Sequence, residues 1–297
     1  MKYSFLNIDK CSFCGSSEFK ILGRRLNTSQ GKNPRKKTGI TTTIVRCVCC
    51  GLIFPNPFPI PENISDHYNI SPEEYWPNEY FTIPDNHLKN YIEWMNNIRK
   101  FDSDSKILDI GAGIGKNMIA LKRYGYDAYG IEPSLPFYDR AISKMGIDPD
   151  KLQLVSIENC IFQDNMFDAI FFSAVLEHLY NPAEILKKII NWVKPNGLVF
   201  IESPSASWLI NKLVNKYYKI RGSDYVTNLS PMHPPYHLYE FTKKAFELHA
   251  EMNNYEVVDC RYFVCQTYAP KIFDKILKKY MKMTNTGMEL AIWLRKK

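Results

Sequence analysis

Three sets of residues hold most of the chemistry available to this chain. The first is a pair of C-x-x-C knuckles, Cys11-Ser-Phe-Cys14 and Cys47-Val-Cys-Cys50, each followed by glycine. Four thiolates at that spacing suit a tetrahedral zinc ion, and a site filled entirely by protein holds the fold and does not activate water. Cys49 lies off the spacing and reads as a spare thiol. The second set is Lys106-Ile-Leu-Asp-Ile-Gly-Ala-Gly-Ile-Gly115, an apolar run that ends in Asp109 and continues into Gly111, Gly113 and Gly115. A buried strand stops there, and residues without Cβ let the backbone turn sharply beneath a ligand. The third set is two histidines, His178 just beyond an apolar run and His237 in a His-Pro-Pro-Tyr-His loop, where an imidazole is suited to moving a proton near neutral pH.

The elements that must position these groups are legible around them. Asp85 to Phe101 carries Leu88, Tyr91, Ile92, Met95 and Ile98 at helical spacing, with Asp85 placed to cap the start. A strand at Lys106–Ile110, the glycine turn, a helix from Lys116 to Tyr124 closed by Gly125, and a strand at Ala128–Ile131 ending in Glu132 make a nucleotide-binding βαβ unit. In such a unit the terminal acid accepts hydrogen bonds from ribose hydroxyls. Dinucleotide enzymes favour G-x-G-x-x-G, because the helix terminus must reach a pyrophosphate, whereas the spacing here is D-x-G-x-G-x-G. S-adenosylmethionine has no phosphate and carries an ammonium, which Asp109 suits directly or through water. Further on, Ala169–Ser173 and Leu198–Glu202 read as strands. Between them a helix opens at Asn181-Pro182 and buries Ile185, Leu186, Ile189, Ile190 and Val193.

Ile107 to Gly115, with Gly130-Ile-Glu-Pro-Ser134 downstream, resembles motifs one and two of the class I S-adenosylmethionine-dependent methyltransferases. Val155 to Asp168 resembles the stretch that covers the adenine, and Ala174-Val-Leu-Glu-His-Leu-Tyr-Asn-Pro182 resembles the family's Leu-Glu-His turn. The resemblance implies an α/β fold, a Rossmann-like sheet that is mostly parallel with the last strand antiparallel. It implies S-adenosylmethionine held by Asp109, Gly111, Gly113, Gly115, Glu132, Pro133, the main chain of Ile157 and Glu158, and Ser173. Where many members place an acidic residue against the adenine amino group, this chain has Ser156. The acceptor would lie over Glu177–Tyr180, with His178 and His237 as general base or acceptor-positioning groups and Tyr236 and Tyr239 behind them. Hydrogen-bonded structural histidines are the competing reading. Methyl transfer is an in-line displacement in which orientation supplies most of the catalysis, so a base is optional.

Composition sets the frame. The chain has 297 residues, 45% of them apolar, enough for one large domain and an appendage. Residues 1–54 form the zinc-ribbon-like module, 55–84 a connector holding seven of the eighteen prolines, and 85–297 the methyltransferase domain with an insertion at 203–235. That insertion reads as a substrate lid or as packing, including a homodimer contact. No run of about 18 apolar residues occurs and the start lacks a secretory core, which points to a cytoplasmic protein. The net charge of +7 gathers at Lys32, Arg35, Lys36 and Lys37, at Lys212, Lys216, Lys219 and Arg221, and at Lys275, Lys278, Lys279 and Lys282. Such clusters are solvated faces or phosphate-binding patches. The order of module, connector and domain resembles a subfamily that methylates nucleotide-linked deoxysugars and related small molecules, so the leading expectation is a small-molecule acceptor, a nucleotide-activated sugar or glycan precursor among them. The alternatives are an RNA methyltransferase that uses the module and basic clusters, and a non-catalytic binding protein. The intact Asp109, three glycines and Glu132 argue against the last.

Overall fold

The computed structural model describes residues 2–28, 37–63, 71–265, 267 and 270–297. The basic cluster at Lys32, Arg35 and Lys36 lies outside them. The most apolar segments form the middle of the main sheet: β6 (Lys106–Ile110) and β9 (Phe167–Ser173) are buried almost throughout, as strands covered on both faces must be. Around them the chain adds α2 (Lys89–Ile98), α3 (Lys116–Arg123), β7 (Asp127–Glu132), α4 (Leu135–Ser143), β8 (Leu152–Leu154), α5 (Pro182–Trp192) and β10 (Val193–Pro204). It finishes with α6 (Leu209–Ile220), α7 (Lys243–Glu251), β11 (Tyr255–Phe263), α8 (Lys271–Met283) and β12 (Glu289–Lys296). The seven strands stand in the order β11-β12-β10-β9-β6-β7-β8. Neighbours from β10 to β8 are parallel, and β12 is antiparallel to both β10 and β11. This is the expected mixed sheet. Among the described residues no helix is long and apolar enough to cross a membrane.

Neither the start of α2 nor that of α5 is capped by a side chain. Asp85 does not cap α2, because the helix opens three residues later at Leu88, in the left-handed region with φ 61°, and has no side-chain cap. Asp85 is exposed and its carboxylate lies 3.8 Å from Arg123. Asn181 does precede α5, but its side chain makes no capping bond, leaving Pro182 at the first helical position as the start signal.

The amino-terminal module is a three-stranded antiparallel sheet of β2 (Phe19–Thr28), β3 (Lys37–Cys47) and β4 (Ile53–Pro55), beside a pair formed by β1 (Tyr3–Leu6) and β5 (Phe58–Pro61). Because β5 pairs with β1, the module's strands continue past residue 54 into the proline-rich stretch. That stretch also contains a helical turn, α1 (Pro72–Tyr75), and a 3-10 turn at Asn78–Phe81, where the density of prolines argues for an extended chain. Ser71 caps α1 and Pro72 occupies its first position, where a missing N–H costs nothing.

The module is not an independent bead. Phe13, between the first two cysteines, is fully buried among Phe241, Phe246 and His249, with ring centroids 5.5, 5.6 and 5.0 Å away. The Thr242 hydroxyl donates to the Cys50 carbonyl at 2.6 Å and accepts from the Ala245 amide that opens α7. From the other side the insertion grips the module: Arg24 pairs with Asp224 at 2.7 Å and Arg25 donates to the Leu229 carbonyl, while Glu240, paired through its main chain with Ile53, holds the insertion by its bonds to Asn228, Asn211 and the Leu229 amide. Truncating Phe13→Ala removes an aromatic knob from this shared core and is expected to cost about 3–5 kcal/mol in urea unfolding. A loss under about 1 kcal/mol would mean that the module is only loosely seated.

Candidate functional site

The glycine turn lies at the carboxyl end of β6, where open α/β sheets bind ligands. Asp109 is fully buried at its floor. One of its oxygens accepts from Asn117 Nδ2 at 3.1 Å, and the other, Oδ2, has no hydrogen-bond partner among the described residues. Burial, reinforced by the nearby Glu132, pushes this carboxyl up to about 7, despite the bond from Asn117. A cation at this floor would satisfy the orphaned oxygen and restore the charged form. Asn117 in turn meets His87 Nε2 at 3.0 Å, tying the network to the segment ahead of α2.

Glu132 ends β7 beside the turn. Its two oxygens accept from the Gly113 amide and the Ser134 amide, both at 2.8 Å, so the acid holds the glycine loop in place. Burial raises its pKa. The loop is left-handed at Gly113, φ 57°, and a Cβ built there would make an ordinary contact with a Phe137 ring carbon at 3.8 Å and clash with nothing. At Gly111 a Cβ would instead come within 2.5 Å of Val175 Cγ2, which shows that the loop after β9 rests directly on the turn. Pro133 is exposed beside Glu132, Ile157 is buried and Glu158 exposed. The carbonyls of Ile157 and Glu158 both accept from Lys188 Nζ, at 3.0 and 2.8 Å. Ser173 is half-buried at the end of β9 and pairs in register with Glu202.

The proline-rich connector closes this end. Tyr80 and Phe81 meet the helices that flank the turn: Lys116 lies 4.0 Å over the Tyr80 ring and donates to the Tyr80 carbonyl, and Arg140 lies 3.7 Å over Phe81.

Beyond β9 the chain brings together what the sequence holds far apart. A short 3-10 turn at Leu176–His178 presents Glu177 and His178, and the loop before α7 lays His237 against them, ring centroids 5.0 Å apart. The two loops are stitched by the Leu238 amide donating to the Glu177 carbonyl at 2.8 Å, and by His178 Nδ1 meeting the Tyr236 carbonyl at 3.3 Å. Tyr236 therefore reaches the cluster through its main chain. Tyr239 is buried in an aromatic stack with Phe54, Phe58 and Phe241. Burial and the neighbouring His178 bring His237 down to about 3. Glu177 is the residue sequence reasoning passed over. It is fully buried, burial pushes its carboxyl up to about 8, and Oε2 has no partner among the described residues. Its place in Leu-Glu-His was visible, but nothing in the chain said that the carboxylate would face both imidazoles.

In the module Cys11, Cys14, Cys47 and Cys50 bring their sulfurs within 4.8 Å of one another, with Cys11 to Cys50 at 3.6 Å and Cys14 to Cys47 at 3.5 Å. Tetrahedral zinc with bonds of about 2.3 Å sets its sulfurs about 3.8 Å apart, so the residues fit that ion. Cys49 is exposed and outside the group.

A family model for a methyltransferase domain matches residues 86–259, more than half of the chain. The sheet order, the glycine turn with its two acids, and this match define the class: the chain belongs to the class I S-adenosylmethionine-dependent methyltransferases. Among its relatives is the mitochondrial ubiquinone biosynthesis O-methyltransferase of Dictyostelium discoideum, 29% identical over 170 residues that cover 52% of this chain and 51% of that protein. The ubiquinone biosynthesis O-methyltransferase of Coxiella burnetii is 30% identical over 130 residues, covering 42% of this chain and 52% of that one. The chain thus spans about half the length of these curated relatives. A crystal structure of a Pyrococcus horikoshii protein shares the fold, at 14% identity and TM-score 0.50, covering 79% of this chain and all of that one.

Proposed function

We propose that this protein transfers a methyl group from S-adenosylmethionine to an oxygen of a small-molecule acceptor seated over Glu177, His178 and His237. The observation that supports the reading most is Asp109, a buried carboxylate with one oxygen held by Asn117 and the other unsatisfied beneath a glycine cradle. The cofactor's ammonium supplies the missing charge, and Glu132, already anchored by two amides, faces the ribose hydroxyls. When bound, the cofactor supplies an electrophilic methyl on a sulfonium. The protein's part is to orient it and exclude water. The choice of oxygen follows the O-methyltransferase relatives, and the nucleotide-linked sugar as acceptor rests on the order of module, connector and domain. The four-cysteine group holds structural zinc in this reading, and the insertion, clamped to the module, frames the acceptor side. An RNA acceptor would use the lysines of α6 and α8, and would reveal itself as tight RNA binding that falls steeply with salt.

Calorimetry with S-adenosylmethionine and its demethylated product tests the reading, and pH sharpens it. Without ligand the Asp109 carboxyl sits near 7, above its unfolded value, so its burial weakens the folded state as pH rises from about 4 to 7. A cationic ligand favours the carboxylate. Affinity is therefore expected to be full above pH 7 and to fall by up to about tenfold per unit below it, a slope that Asp109→Asn removes. A zinc-loaded, folded sample that bound neither compound would retire the enzyme reading, and a flat profile would take Asp109 out of the site.

A further inference from the structure

Glu177, His178 and His237 face one another without bonding to one another. Glu177 Oε1 lies 4.0 Å from His178 Nε2 and 3.9 Å from His237 Nε2, too long for hydrogen bonds, and all three ligand atoms lie within 4.8 Å. We infer that these residues bind a divalent first-row transition-metal ion, with the acceptor's oxygen as its exchangeable ligand. The inference rests on the acceptor position proposed above.

The arrangement has the parts such a site needs. Two imidazoles and one carboxylate are a common three-ligand set for a metal that keeps an open position. On a tetrahedral ion with bonds of about 2.1 Å, ligand atoms stand about 3.4 Å apart, so closing the site draws each nitrogen in by about half an ångström. The outer partners are also in place. With His178 Nδ1–H donating to the Tyr236 carbonyl, Nε2 carries the lone pair and points at Glu177, the tautomer a ligand must have. The Ser230 hydroxyl accepts from the His237 amide and the Ser230 amide donates to the His237 carbonyl, so the loop bearing the second imidazole is held at both of its main-chain groups. Glu177 is deep, whereas the imidazoles remain 16% and 28% exposed, so solvent and an exchangeable ligand can reach them. A single proton-accepting histidine would need neither a second imidazole nor a carboxylate equidistant from both. Val175, in the same loop, lies against the glycine turn, so the loop that carries Glu177 and His178 adjoins the proposed cofactor floor.

A metal here would let the acceptor hydroxyl ionise near neutral pH, as bound water does when its pKa falls from 15.7 to about 7. The hydroxyl releases its proton to bulk water, the oxygen's lone pair forms the bond to the methyl carbon, and the methyl–sulfur bond breaks. Its electron pair stays on sulfur, leaving a neutral thioether.

The test uses the full-length protein with its four-cysteine site loaded with zinc and titrates manganese(II), which thiolate sites disfavour. Loss of the free-ion electron paramagnetic resonance signal should report one manganese bound per chain. Glu177→Gln and His237→Ala should each weaken it tenfold or more, and S-adenosylmethionine calorimetry on the same samples should be unchanged. Wild-type protein that takes up no manganese, or variants that bind it as wild type does, would overturn the inference; the partly exposed loop position of His237 keeps that arm informative if the buried substitution impairs folding. Loss of cofactor binding with manganese uptake intact would instead refute the methyltransferase reading and leave the metal site standing.

Discussion

Gly113→Arg is expected to abolish S-adenosylmethionine binding in a protein that still folds. A Cβ at this position meets no heavy atom closer than 3.8 Å, so it starts without a clash. The same turn follows Asp109, which holds an unsatisfied oxygen. An arginine on this turn is expected to crowd the proposed cofactor position and to bring a cation near Asp109, competing with the ligand in volume and charge. The left-handed φ of 57° costs a residue with a Cβ about 1–2 kcal/mol, which a domain with this much buried sheet tolerates. Calorimetry should show at least about a hundredfold weaker binding, about 2.7 kcal/mol, with a circular dichroism spectrum like the parent's. Gly111→Ala is the informative contrast. Its Cβ would strike Val175 and displace the loop that carries Glu177 and His178, so it should disturb both ends of the site. Normal cofactor affinity in the Gly113 variant would place the cofactor elsewhere.

Cys47→Ser should have the largest effect on stability. The four sulfurs stand at zinc-like separations, and in small zinc modules the binding free energy, about 10–16 kcal/mol at neutral pH, is also folding free energy. Removing one thiolate should drop zinc to well below one per chain by elemental analysis. The loss will spread, because Phe13 lies in the same core as Phe241 and Phe246, and the Cys50 carbonyl anchors the hydroxyl that caps α7. A lowered melting temperature of the whole protein is therefore expected, with chelation of the parent reproducing it. Cys49→Ser, at an exposed thiol outside the group, should keep both zinc and stability. Full zinc content in the Cys47 variant would remove that residue from the ligand set.

Much of this architecture was readable in one dimension because its determinants are local. The run into Asp109, the glycines and Glu132 lie within one βαβ unit, where chain connectivity alone brings strand ends, turn and acid together. The two knuckles announce a closed site by their spacing. Helix starts were less legible: Asp85 looked like a cap, but packing of Leu88, Ile92 and Met95 against the sheet set where α2 begins.

What the sequence by itself determined, then, is the class of fold, the glycine turn with its acids and the candidate thiolate set, each encoded by residue type at short range. Tertiary structure alone decided that the module shares a core with α7 through Phe13, that Asn117 holds Asp109, and that Glu177 faces both His178 and His237. Those contacts join segments set by β-sheet order and by two loops stitched through main-chain bonds. No periodicity or spacing records which distant loop will lie on which.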